Sequence, residues 1–198
     1  MRKLVLAALL ATPLWASANL VQNGSFEDNL QAAGTWNIYA NLAGWTGGQH
    51  GIELRDHVAG DAYDGHNYVE LDTTANSAMS QSVATTLGAH YALSFAYSPR
   101  TGVPASSNGI EALWNGVSLG VFTGNGAPGG NVWALHTLDV VGTAGSSLLS
   151  FRAVGSSDSL GGSLDAVSLT AAVPEPQTYA LLLGGLAAML FVVRRRRG

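Results

Sequence analysis

The stretch from His90 to Pro99 reads HYALSFAYSP. Tyr91, Leu93, Phe95 and Tyr97 alternate with Ala92, Ser94 and Ala96, a period of two that suits a strand with one buried face. A helix would need apolar residues three and four apart, and no long segment of that kind precedes the C-terminal tail. Similar short runs lie at 20–23, 51–55, 67–72, 79–85, 109–116, 117–123, 132–142, 147–155 and 162–172, separated by Gly, Ser, Thr and Asn clusters. Asn115-Gly116 between two of them is a hairpin signal, because both residues tolerate the positive φ of a primed turn. The Gly-rich run 124–131 reads as one surface loop. About ten short strands with Gly turns predict an all-β domain, two packed sheets or a barrel, and a jelly-roll β-sandwich is the expectation.

The two ends follow another logic. Arg2 and Lys3 precede an apolar stretch from Leu4 to Ala11, and Ala16-Ser17-Ala18 supplies a small-x-small cleavage pattern. Residues 1–18 therefore read as a secretory signal peptide cut between Ala18 and Asn19. Near the other end, Tyr179 to Val193 has no charge and no polar face, the mark of a membrane helix. Fifteen residues reach only about 22 Å as a helix, short of a hydrocarbon core of about 30 Å. Long arginine side chains can make up part of the difference. Arg194 to Arg197 should stay cytoplasmic by the positive-inside rule, which leaves the body on the far side of the membrane.

Residues 19–172 form the body, large enough to bury roughly 70% of its unfolded surface. Lys3 is the sole lysine, and four arginines belong to the tail. The body keeps Arg55, Arg100 and Arg152 against twelve carboxylates, a net charge of −9. That balance opposes nucleic-acid binding. With no lysine in the body, Schiff-base chemistry is excluded. The absence of cysteine excludes thiol catalysis, disulfides and cysteine zinc sites. An acidic body suits either simple solubility or a calcium-containing medium.

Pro174-Glu175-Pro176, the short apolar helix with Gly184-Gly185-Leu186 and the terminal arginines together resemble the PEP-CTERM sorting signal of Gram-negative bacteria, here over 173–198. The resemblance implies that a membrane exosortase recognises Pro174, Glu175 and Pro176 and cuts near them. The chain would be a substrate of that enzyme, at first held in the membrane through its C-terminal helix, then processed to the cell surface or extracellular matrix.

The body has a resemblance of its own. NLVQNGSFE, GWT, GIEL, DGHNYVELD, SQSVAT, HYALSFAYSPR, WNG and LDAVSL, in that order, look like the galactose-binding-like jelly-roll superfamily. They are most similar to domain-of-unknown-function family 642. Relatives tend to end in Asp-Asp-Val with a structural calcium between the first and last strands. Asp165 matches the first Asp, and Ala166 replaces the second. Strand alternation in SLDAVSLT puts Asp165 on the face of Val167 and Leu169, toward the core, where a lone carboxylate needs hydrogen bonds or a cation. Glu27 in NGSFE offers a second carboxylate, and Glu27 with Asp165 could hold one Ca²⁺. Alternatively Asp165 caps a turn and Glu27 is solvated.

The resemblance implies noncatalytic binding of cell-wall or matrix polysaccharide. A sugar site needs an aromatic platform and polar groups for the hydroxyls. Trp36 and Tyr39, in a segment that reads as a loop, are the favoured platforms, with Arg100 in reach or in a local ion pair. Trp45 reads as a packing residue; Trp114 and Trp133 could serve the core or a concave face. His50, His57, His66, His90 and His136 show no metal-binding spacing, and no Gly-x-Ser-x-Gly occurs. Glu53, Glu70 and Glu111 could supply a glycosidase pair. Two alternatives to sugar binding are a structural matrix or biofilm protein without a sugar pocket and a glycan hydrolase.

Overall fold

The computed structural model describes residues 18–172 and, in the tail, 182–187, 189 and 193–195. The signal segment before Ala18 and the Pro174-Glu175-Pro176 motif lie outside the described residues. The predicted span 179–193 is described in part, with 182–187, 189 and 193 helical. Among the described residues no helix is long and apolar enough to cross a membrane.

Twelve strands form two antiparallel six-stranded sheets among the described residues. The strands are β1 (Thr35–Tyr39), β2 (Asn41–Leu42), β3 (Trp45–Gly47), β4 (Ile52–Asp56), β5 (Asn67–Glu70), β6 (Ala78–Thr85), β7 (His90–Ser98), β8 (Gly109–Trp114), β9 (Val117–Phe122), β10 (Ala134–Val141), β11 (Gly145–Val154) and β12 (Ser163–Ala171). One sheet runs β1-β4-β5-β12-β7-β10 and the other β2-β3-β6-β11-β8-β9. The expected β-sandwich is thus observed. The Asn115-Gly116 hairpin forms between β8 and β9, with φ of 51° and 79° at the two residues, the values a primed turn needs.

Alternation builds the core between the sheets. Tyr91, Leu93, Phe95 and Tyr97 of β7 point inward as read from the sequence, beside Ile52 and Leu54, Val69, Phe151 and Leu169. Trp45 is the packing residue expected: its ring lies 6.0 Å from Phe26 and 6.4 Å from Phe151, centroid to centroid. Phe26 holds a φ of 64°, a left-handed conformation that costs about 1–2 kcal/mol. Full burial of its ring offsets that, at about 1.5–3 kcal/mol for such a side chain.

Residues 20–23 are not a strand, but they do lie against the last one. Leu20 donates its N–H to Leu169, Val167 donates to Gly24, and the Asn19 amide oxygen accepts from Leu169. Gly24 must be glycine for this approach, since a Cβ there would sit 1.9 Å from the Val167 carbonyl oxygen.

Two further expectations need correction. Trp36 and Tyr39 lie in an edge strand, β1, and not in a loop. Asp165 does not share a face with Val167 and Leu169. A bulge between Asp165 and Ser168, with Ala166 at a φ of 48°, inserts one residue and resets the alternation. Leu164, Val167 and Leu169 enter the core, while Asp165 turns to the outer face.

Replacing Trp45 with Ala removes the ring that links Phe26 to Phe151. Denaturant unfolding should show a loss of about 3–5 kcal/mol; a loss below about 1 kcal/mol would contradict this account of the core.

Candidate functional site

The outer face of the first sheet is charged and yet buried. In β4, Ile52 and Leu54 face the core, so Glu53 and Arg55 face outward. Register carries the same face onward: Glu53 pairs with Glu70 and Arg55 with Tyr68 in β5, and Glu70 with Ser163 in β12. On the other side, Trp36 of β1 lies opposite Arg55 and Ile38 opposite Glu53. Loops cover the middle of this face, so Glu53, Arg55 and Glu70 are all under 5% exposed.

Buried charges must be paired, and these are. Arg55 Nε donates to Glu53 Oε1 at 2.6 Å, and its Nη2 pairs with Glu70 Oε2. Arg100 Nη1 reaches the same Glu70 oxygen at 3.0 Å and the Ser159 carbonyl at 3.2 Å. Glu70 Oε1 accepts the Gly161 N–H at 2.6 Å. The local ion pair expected of Arg100 is therefore formed, with a partner 30 residues earlier in the chain. Burial pushes the Glu70 carboxyl up to about 7, against the pull of Arg55 and Arg100. Arg55 Nη1 is buried without a hydrogen-bond partner.

Beside this network is a cavity of about 240 Å³, lined by Trp36, Ile38, Glu53, Arg55, Val58, Thr73, Thr74, Arg100 and Ser159. Trp36 remains 51% exposed. The pocket combines an open indole face, an isoleucine and charged or hydroxyl groups, the mixture that suits a sugar ring. A larger cleft of about 410 Å³ separates the N-terminal segment from the β12 bulge. Its lining, including Asn19, Asn23, Asp28 and Asp64, has no aromatic ring, and so it lacks a platform.

The structure brings Trp36 and Arg100 into one pocket. Tyr39 is not there: its ring packs against the core and its hydroxyl donates to Gln31 Oε1. Trp114 is buried in the other sheet and bonds the Val141 carbonyl. Trp133 precedes β10, donates to the Asp61 carbonyl and stands edge-on to Tyr63 and Tyr68. Arg55, the centre of the network, was not singled out by the sequence. The one available signal was a charged residue alternating with Ile52 and Leu54 in a strand.

Glu27 and Asp165 both act on the loop before β5. Glu27 Oε1 accepts the N–H groups of His66 and Asn67, each at 2.7 Å. Asp165 Oδ2 accepts from Tyr63 at 2.7 Å and Asp64 at 2.9 Å, and its Oδ1 from Ala166 at 2.6 Å. Both Asp165 oxygens and Glu27 Oε1 are thus engaged with backbone donors. Among the described residues no group of three or more His, Asp or Glu side chains is arranged to hold a metal. Burial raises the Asp165 carboxyl to about 7, with the three N–H donors pulling it down.

The three glutamates considered as a hydrolase pair are divided. Glu111 lies in the other sheet, bonded to Arg152. Glu70 is fully buried with both oxygens engaged.

Comparison with known proteins adds the following. Residues 172–197 match the PEP-CTERM protein-sorting motif. A stretch of 153 residues, 77% of this chain, is 33% identical to part of a multifunctional-autoprocessing repeats-in-toxin of Vibrio cholerae serotype O1, and a stretch of 150 residues is 33% identical to the toxin of the same name from Vibrio vulnificus. The chain spans 3% of the length of each. Among solved structures, a cyclase from Fischerella sp. TAU superposes with a TM-score of 0.55 at 14% identity, over 81% of this chain and all of that one. The K1 cleaved adhesin domain of Lys-gingipain from Porphyromonas gingivalis W83 superposes with a TM-score of 0.53 at 17% identity, over 70% and 98%. At these identities the superpositions show a shared fold.

Glu70 and Asp165 hold protons more tightly in the folded chain than their ordinary values of 4.5 and 3.8 allow. The stability this contributes is complete below the unfolded values and is lost as the pH rises through about 7. The melting temperature should fall from about pH 5 to about pH 8, and the fall should be shallower in Asp165→Asn. A melting temperature that rises across this interval would contradict it.

Proposed function

Since the tail carries a PEP-CTERM protein-sorting motif, which implies export and association with the surface or membrane, we propose that the chain is a surface-sorted, noncatalytic protein whose body binds an extracellular polysaccharide at the Trp36 pocket. The observation that carries this reading is the exposed Trp36 face set against Arg55, Arg100, Thr73 and Thr74 in one cavity. The indole offers a flat apolar surface to the C–H face of a sugar ring, and the polar groups meet its hydroxyls. Catalysis is disfavoured by the sealed Glu70 and by the separation of Glu111. The likeness to a short part of a far longer toxin supports a module that works as one unit of larger exported proteins. The likeness to an adhesin domain is consistent with attachment.

The same reading assigns the ends. Cleavage after Ala18 releases the body, and an exosortase-type enzyme acts at Pro174-Glu175-Pro176. The apolar stretch 179–193 serves as a transient anchor. Calcium has no role in the proposed contact.

Full-length protein in detergent should be retained on polysaccharide from the matrix of the cells that make it, as read by affinity electrophoresis. Trp36→Ala should weaken retention about tenfold or more, an indole contact being worth at least about 1.4 kcal/mol. Tyr39→Phe should leave it unchanged. Retention that survives Trp36→Ala would overturn the site. Deleting residues 174–198 should remove the protein from the cell surface; normal display without them would overturn the sorting role.

A further inference from the structure

We propose that the pocket selects a sugar carrying a carboxylate, with Arg55 and Arg100 receiving the acid while Trp36 stacks on the ring. This rests on the polysaccharide-binding reading and narrows it to acidic sugars.

The argument begins with where the positive charge is. The body has three arginines against twelve carboxylates. Two of the three line this one cavity. Arg55 is the more telling. Its side chain is 3% exposed; Nε is bonded to Glu53 and Nη2 to Glu70, and Nη1 has no hydrogen-bond partner. A guanidinium offers five N–H donors in a rigid fork and accepts nothing. A buried donor without a partner is costly, and an anion of ligand origin is the partner that a cationic donor favours most.

Arg100 completes the arrangement. It shares the Glu70 oxygen Oε2 with Arg55, and its side chain stays 22% exposed at the cavity. Glu70 is thus held between two guanidiniums, and neither its oxygens nor its surface is open to a ligand. Its role is to fix the two arginines. Glu53 turns Oε1 to Arg55 Nε and is only 4% exposed, so it orients Arg55 more than it confronts an incoming acid. A carboxylate seated in the cavity against Arg100 and the Arg55 guanidinium would give Arg55 Nη1 the partner it lacks and leave Thr73 and Thr74 for hydroxyls. The volume of about 240 Å³ lies below the usual range for larger ligands, which begins at about 300 Å³, and suits a single ring.

The rest of the body limits the ligand further. A net charge of −9 repels a dense polyanion at low salt. The chemistry that fits is an acidic unit within a largely neutral chain. Its carboxylate could belong to a uronic acid or to a pyruvate ketal on a neutral sugar.

The test uses full-length protein in detergent and the matrix polysaccharide in three forms: native, carboxyl-reduced so that uronates become neutral hexoses, and treated with mild acid to remove pyruvate ketals. Affinity electrophoresis should show at least tenfold weaker retention by the carboxyl-reduced form; the same loss in the acid-treated form identifies a pyruvate ketal, and loss in the reduced form alone a uronic acid. Arg100→Gln, at the partly exposed rim, should bring retention by the native polymer down to that of the treated form while leaving the thermal melt cooperative. Trp36→Ala should weaken retention by every form. Equal retention by all three forms, or an acid preference untouched by Arg100→Gln, would overturn the inference while leaving polysaccharide binding intact. Retention of none of them would overturn both.

Discussion

The Glu70 carboxylate, buried between Arg55 and Arg100, is the interaction on which this molecule is arranged. A charged cluster on the face of a sheet can remain in water, or it can be covered and fully paired. Here it is covered. Covering it requires loops from three places: the β4–β5 connection, the turn after β5 and the segment before β12. Those loops make the walls of the Trp36 pocket. The pocket follows from sealing the ion pairs, because β1 is an edge strand and leaves Trp36 open beside them.

The acidic composition takes on a specific meaning in this light. Glu27 and Asp165 accept backbone N–H groups from residues 63–67. Glu70 and Asp72 accept them from residues 158–161. Four carboxylates thus act as anchors for two long loops. Such bonds contribute about 0.5–1.5 kcal/mol each, more where the acceptor is ionised, and together they order loops that have few apolar residues. Solubility and cation binding, the two uses suggested by composition, omit this third one. Loops held by acids that protonate near neutrality also respond to pH, and two of the anchors, Glu70 and Asp165, lie in that range.

What the sequence made legible was what local pattern determines. Alternation in β7 and the Asn115-Gly116 turn depend on neighbours a few residues apart, and both formed as read. The stretch 34–44 reads as a loop, and the pairing of β1 with β4 supplies what its composition lacks. The orientation of Asp165 depended on a bulge, and one residue in the left-handed region at Ala166 reverses a face without any mark in the apolar pattern. Trp36 and Arg100 were chosen separately for their chemistry, and only the sandwich brings them together across 64 residues of chain. Arg55 was missed because its significance lies in a third nitrogen left unpaired once two partners are in place. No local spacing encodes that.

The geometry of β12 joins the two halves of the molecule's role. The strand starts at Ser163, opposite Glu70 and Ser98, and ends at Ala171, opposite Tyr91. Arg100, Thr73 and Ser159 all lie near its first residue. At about 3.3 Å per residue, the eight steps from Ser163 to Ala171 separate the ends of β12 by about 26 Å. The chain leaves toward the sorting motif from the end farther from the pocket. The first segment, bonded at Leu20 to Leu169, lies alongside the departing strand and not across the pocket. The Trp36 pocket and the start of the sorting segment therefore lie toward opposite ends of one strand.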